Sequence, residues 1–148
     1  MITEFQGKYR FLSNFWITPI EYDGDIYPSV EHAYQASKTL NADERRKIRT
    51  ANTPGQAKRL GGTTSIRYDW EKIKYRIMYD LVSQKFSTGI LKQQLLDTGD
   101  EELQEGNRWG DTYWGISLIT GEGENNLGNI LMLIRGKLKE KHHENSIH

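Results

Sequence analysis

Apolar residues recur along most of this chain at spacings of three and four, the period of a helix with one buried face. The widest stripe is Trp70, Ile73, Ile77 and Leu81, flanked by Met78, Val82 and Phe86. It predicts a core helix that opens after Asp69 and is the longest in the chain. Ile130, Leu131, Leu133, Ile134 and Leu138 predict another over residues 127–139, after a Gly- and Asn-rich connector at residues 121–128. Shorter helices are marked by their ends. Asn41 followed by Glu44 opens one that runs to about Ala51, and its Arg45, Arg46, Lys47 and Arg49 read as a solvated face. Thr53-Pro54-Gly55-Gln56 supplies a capping Thr, a Pro at the first helical position and a Gln that reaches back; Gly61-Gly62 stops that helix. Thr88 caps a helix through Leu91, Leu95 and Leu96 that ends near residues 98–100. Residues 19–22 and 25–27 flank Asp23-Gly24, a pair suited to a type I′ turn, and predict a hairpin. Two more short strands are expected around Leu103 and over residues 116–119.

The hairpin delivers the chain to Pro28-Ser29, and Ser29 is the natural cap of a helix through residues 30–39. There Glu31, Gln35 and Lys38 stand four and then three residues apart, so an acid, an amide and an amine share one face while Val30, Ala33 and Tyr34 are left for burial. Spacing alone does not separate such a row from an ordinary solvated face. Two loops add polar groups among aromatic rings. Residues 11–16, Phe11-Leu12-Ser13-Asn14-Phe15-Trp16, suit a loop with its rings packed inward and with Ser13 and Asn14 as hydrogen-bonding groups. Residues 105–114 hold Glu105, Asn107, Trp109, Asp111 and Trp114, with glycines at 106, 110 and 115 for close backbone approach. Acids, an amide and two indoles make this a better pocket wall than a surface loop.

Length and composition narrow the class. At 148 residues the chain suits one domain, residues 1–141, with residues 142–148 as a frayed tail. It has no cysteine, which removes disulfides, thiolate metal sites and cysteine nucleophiles. Twenty basic and twenty acidic residues cancel, so any polyanion has to be held locally. No secretory leader opens the sequence, no stretch is long enough to span a bilayer, and a cytoplasmic location is expected. Aromatic residues make up 11%, with four Trp and eight Tyr, enough for some rings to line a pocket. His142-His143 lacks partners at ligand spacing, and no metal is expected there.

The polar clusters occur in a recognisable order. Phe11-Leu12-Ser13-Asn14-Phe15 comes first, then Glu31-His32-Ala33-Tyr34-Gln35-Ala36-Ser37-Lys38. Glu105-Gly106-Asn107, Trp109-Gly110-Asp111 and Trp114-Gly115 follow, and Gly123-Glu124-Asn125-Asn126-Leu127-Gly128 closes the series. The chain resembles the NADAR, or YbiA-like, family over residues 5–135. The resemblance implies an α+β fold, mostly helical and compact in a single domain, with a short N-terminal hairpin and a few short strands. It also implies N-glycosidase activity on a phosphorylated, ribosylated small molecule: a ribosylamino-pyrimidine intermediate of riboflavin biosynthesis, or ADP-ribosylated guanine, including guanine in nucleic acid. Tyr34, Ser37 and Ser117 depart from some members of the family, which bears on substrate more than on activity.

The chemistry fits those residues. Lys38, to which the resemblance also points, can attack the anomeric carbon and form a Schiff base if its amine is neutral. Glu31 can move protons, and Asp111 or Glu105 can stabilise cationic charge at C1′ or bind ribose hydroxyls. Trp109 and Trp114 can stack on the base, and Ser13, Asn14, Gln35 and Asn107 can bind sugar or phosphate, with Phe15 and His32 alongside them in the motifs. The scheme needs neither metal nor redox cofactor. Its rivals are displacement by water, with Lys38 only binding phosphate, and a non-catalytic sensor of ADP-ribose or a nucleotide.

Overall fold

The computed structural model describes residues 1–147, without the side chains of residues 142 and 145–147. It has the expected α+β class, mostly helical with few and short strands. Its backbone gathers into two compact units, Asn14–Lys85 and a second made of Met1–Ser13 with the chain from Phe86 onward.

In the Asn14–Lys85 unit, β1 (Ile17–Tyr22) and β2 (Asp25–Ser29) form an antiparallel hairpin, with Ile20 opposite Tyr27 and Tyr22 opposite Asp25. The turn is the expected one, because Asp23 and Gly24 both take positive φ, 50° and 89°. The ladder is irregular between Ile17 and Ile20, where Pro19 has no N–H to give. Helices α1 (Val30–Ser37), α2 (Ala42–Arg49), α3 (Pro54–Gly61) and α4 (Trp70–Lys85) follow. Three begin as read: Ser29, Asn41 and Thr53 accept from the backbone N–H of His32, Glu44 and Gln56. Gln56 does reach back, though to the N–H of Asn52, at 2.9 Å. The basic run on α2 is held by acids, with Arg45 on Asp23, Arg46 on Asp43 and Arg49 on Asp25.

Helix α1 is the hub of this unit. It packs against the hairpin and against α2, α3 and α4, and all eight of its residues are buried, polar ones included. The core around it holds Ile20, Tyr27, Ile48, Ala57, Trp70, Met78, Leu81 and Val82, with the Tyr34 and Trp70 rings 5.2 Å apart. Two expectations fail here. Phe15 and Trp16 do not pack inward but stay more than a third exposed, since the chain is already entering β1. Ile73 and Ile77 are only half buried, because the stripe on α4 turns its most apolar edge to Met78, Leu81 and Val82.

In the second unit, a 3₁₀ helix (Gly7–Leu12) buries Phe11 and Leu12, and Ile2 bridges Leu103 in parallel, with its N–H and C=O bonded to Glu102 and Gln104 at 2.8 Å each. Leu103 is therefore a single bridge rather than a strand. The strand lies just beyond it: β3 (Gly106–Asn107) pairs in parallel with β4 (Ile116–Ser117). Helices α5 (Gly89–Asp97) and α6 (Asn126–Ile147) complete the unit. Thr88 takes the N-cap position of α5 without a side-chain cap bond. With 22 residues, α6 exceeds the 16 of α4, so the longest helix is not the one expected. With no Gly or Pro after Lys139 to stop it, α6 runs on to Ile147; His148 lies outside the described residues.

Candidate functional site

Helix α1 presents its polar row through packing rather than exposure. Of its first-turn N–H groups, that of His32 goes to Ser29 Oγ at 3.1 Å and that of Glu31 to the Asn14 carbonyl at 3.1 Å. Asn14 is itself buried, and its Nδ2 donates to Met78 Sδ at 3.4 Å. Glu31 and Gln35 are 7% and 4% exposed, and Gln35 Nε2 donates to Glu31 Oε1 at 2.8 Å. Gln35 Oε1 has no hydrogen-bond partner among the described residues, and a buried carbonyl left so costs on the order of 1–3 kcal/mol.

Lys38 is the C-cap of α1, and its carbonyl accepts from Arg67 N–H at 2.7 Å, which ties the helix end to the segment before α4. Its Nζ lies 5.8 Å from the centre of the Tyr34 ring. Burial pulls the amine below the usual lysine range; the charge of Glu31 opposes that, and the neighbouring cations Lys58 and Lys74 push further down. No carboxylate lies within ion-pair distance of it among the described residues. A partly buried amine beside other amines is disposed to lose its proton, as a nucleophilic lysine must.

His32 is not available to a ligand. Its Nδ1 stands 2.7 Å from Ser29 Oγ and its Nε2 3.0 Å from the Ala51 carbonyl. A carbonyl only accepts, so Nε2 carries the proton and Nδ1 takes the Ser29 hydroxyl. The ring is fully buried and neutral, with its pKa lowered by that burial.

In the other unit the loop between β3 and β4 is built around Asn107, 1% exposed. Its Nδ2 donates to Glu105 Oε2 at 3.0 Å and to the Asp111 carbonyl at 2.8 Å, while its Oδ1 accepts from Asp111 N–H at 3.0 Å. Both ends of the Asn107 carboxamide are bonded within the loop, so its side chain holds the loop together. Asp111 Oδ1 accepts from the N–H groups of Tyr113 and Trp114, at 3.1 and 2.9 Å, and so folds the turn. Gly115 is needed because a Cβ there would lie 1.9 Å from Glu105 Oε2 and 2.1 Å from the Glu105 carbonyl. Asn125, at a φ of 54°, accepts from Glu105 N–H and donates to the Leu103 carbonyl, both at 2.9 Å. Trp109 is 61% exposed beside Gly110, and Trp114 is half buried edge-on to Tyr113, their ring centres 4.7 Å apart.

The residues singled out from the sequence thus fall into two groups. Asn14, Glu31, His32, Gln35 and Lys38 share the α1 neighbourhood, with Phe15 beside them in sequence but partly exposed; Glu105, Asn107, Trp109, Asp111 and Trp114 share the loop. Ser13 closes the 3₁₀ helix, its N–H on the Arg10 carbonyl at 2.9 Å. Three features went unread. Lys58 and Lys74 act on Lys38 from α3 and α4, and Gly61 lies against Gln35; only the tertiary fold brings these together. Lys85 is buried at the end of α4 with its amine lowered to about 7 by burial, and its position beside Leu81 and Val82 on the apolar stripe was the available sign.

Comparison with known proteins gives the family. The family model described as NADAR domain matches residues 3–139. The N-glycosidase YbiA of Escherichia coli (strain K12) is 37% identical over 133 residues, 88% of this chain and 82% of that protein. A riboflavin biosynthesis protein of Vibrio vulnificus (strain YJ016) is 39% identical over 136 residues, 90% of this chain but only 36% of its own length. The NMR structure of the E. coli protein YbiA superposes with a TM-score of 0.83 at 34% identity, over 97% of this chain and 86% of that one. From the motif on α1 to the loop built on Asn107, the chain belongs to the NADAR domain family.

Proposed function

We propose that this protein hydrolyses the bond between ribose C1′ and a nitrogen in a phosphorylated, ribosylated heterocycle, with Lys38 as nucleophile through a Schiff base. It is an enzyme of the N-glycosyl hydrolase class, as relatives named N-glycosidase are at 36 to 37% identity over 88% of its length. The finer reading is carried by one observation: the Lys38 amine, lowered by burial and by Lys58 and Lys74, closes a helix face that also bears the buried Glu31.

The Nζ lone pair of Lys38 attacks C1′, and the electron pair of the C1′–N bond leaves with the heterocycle, which takes a proton from Glu31 or water. The Lys38 ammonium so formed gives up a proton, by way of Glu31 or water, to the ring oxygen as that oxygen departs from C1′, which leaves a protonated imine between Lys38 and the opened sugar, its former ring oxygen now a hydroxyl. Water adds to C1′, and the amine leaves with a proton to give the free sugar and the original lysine. Glu31 is the carboxylate on this face that can pass protons in each step. Glu105 and Asp111 take the lesser part in this reading, since their hydrogen bonds go to building their own loop.

The substrate is either a ribosylamino-pyrimidine phosphate or ADP-ribosylated guanine. The test incubates the protein with each, follows free base by mass spectrometry, and adds borohydride to reduce any imine. Base release with one substrate, together with a sugar adduct trapped on Lys38, is expected. Lys38→Arg keeps the charge and cannot form the imine, so it should bind substrate and release nothing. Activity near that of the wild type in Lys38→Arg overturns covalent catalysis, and binding of ADP-ribose without product from either substrate turns the reading to a sensor.

A further inference from the structure

Gln35 is almost wholly buried, yet its carboxamide is bonded at one end only. Resting on the reading of Glu31 and Lys38 as the reacting face, we propose that Gln35 is a positioning residue that holds the Glu31 carboxylate, and that Gly61 on α3 is the seat that allows it.

The amide orientation is dictated by charge. With Nε2 toward Glu31 the contact is a donor on a carboxylate at 2.8 Å; turned over, two oxygens would face each other at that distance. The consequence is an acceptor pressed against α3 with no donor facing it among the described residues. A Cβ on Gly61 would lie 1.8 Å from Gln35 Oε1, 2.6 Å from Cδ and 3.0 Å from Cβ, so the carboxamide occupies the space that any side chain at 61 would need. A polar group in a dry seat is a poor choice for packing, where Met or Leu of similar size would fill the same volume with no unmet acceptor. The amide is there for its NH₂, and Glu31 is what that NH₂ reaches. The Glu31 main chain is pinned by the Asn14 carbonyl, and the bond from Gln35, four residues on, draws Oε1 of its carboxylate along the helix face that ends at Lys38.

The test compares steady-state kinetics of Gln35→Met, Gly61→Ala and Gln35→Ala, and of Gly61→Ala placed in Gln35→Ala. Gln35→Met keeps the volume and removes the donor; kcat should fall by roughly 10- to 100-fold with KM nearly unchanged, as for a displaced catalytic group. Gly61→Ala should lose as much, since its methyl evicts the carboxamide, and should lose nothing more once Gln35 is already Ala. A raised KM at constant kcat in Gln35→Met would mean that Gln35 touches substrate and would overturn the proposal, and additive losses in the double variant would overturn the role of Gly61. A second readout does not need turnover. The side-chain amide protons of Gln35, observed by NMR, should shift in both Gly61→Ala and Glu31→Ala. If the wild type releases no base from any substrate, the glycosidase reading falls while this contact is still measured; amide resonances unmoved by both substitutions sink the inference itself.

Discussion

At the residue scale the proposed chemistry turns on how Lys38 is kept able to lose its proton. Its amine is lowered chiefly by burial, raised by Glu31 on its own helix, and lowered again by Lys58 from α3 and Lys74 from α4. A nucleophile that must be neutral gains activity as pH rises through its pKa, so kcat/KM should climb at a pH below the ordinary lysine value of 10.5. Lys58→Gln or Lys74→Gln removes a cation that favours the neutral amine, and the rise should move to higher pH. The measurement is the pH profile of kcat/KM with borohydride trapping at each point; a rise that stays where it was in both variants would separate those lysines from Lys38. The row Glu31, Gln35 and Lys38 was legible in the sequence because helical spacing is a local property. The role of His32 was not, since nothing local says that Ser29 and the Ala51 carbonyl take both of its nitrogens.

At the scale of elements, the starts of helices were the most legible part, because a cap is decided within four residues. Ser29, Asn41 and Thr53 all act as their sequence contexts imply. Ser29 does more than cap. It also serves His32 Nδ1, so Ser29→Ala strands a buried ring nitrogen as well as a helix N–H, and should destabilise the fold by roughly 2 kcal/mol or more. Urea unfolding monitored by circular dichroism checks it, and a loss under about 0.5 kcal/mol would reduce Ser29 to a surface-like cap. The short strands were less legible. Strands β3 and β4 have two residues each and pair in parallel, so no alternation exists to read, and what places them is side-chain bonding by Asn107 and Asn125 together with the room at Gly115. Gly115→Ala should therefore disturb this loop more than Gly110→Ala beside it, where no atom lies within 4 Å of an added Cβ but φ is 83°. Proteolytic nicking between Asn107 and Trp114 would report the difference, and equal sensitivity of the two variants would count against the close approach at Gly115.

At the scale of the molecule, the family match runs from residue 3 to residue 139 and so takes in all of the Asn14–Lys85 unit and most of the other, which is why four ordered motifs identified the fold when periodicity alone could not assemble it. The overall charge of zero hides a division that composition cannot express. The Asn14–Lys85 unit holds twelve basic and nine acidic residues, a net of +3, and it is this unit that carries Lys38. One of those cations contributes unfavourably to stability. Lys85 is 5% exposed, and burial lowers its amine to about 7 in the folded chain, against 10.5 when unfolded. Below about pH 7 both states hold the proton and the folded state bears the whole cost of the buried charge. Between about 7 and 10.5 the unfolded chain binds the extra proton, so stability rises with pH, by at most about 1.4 kcal/mol per unit from this group. Lys85→Met keeps the length and removes the charge. Its free energy of unfolding in urea should exceed that of the wild type at neutral pH, and the two should converge toward pH 10 as the wild-type amine sheds its cost. Parallel pH dependences for the two proteins would mean that Lys85 keeps its proton in the fold across the whole range and would overturn the cost assigned to its burial.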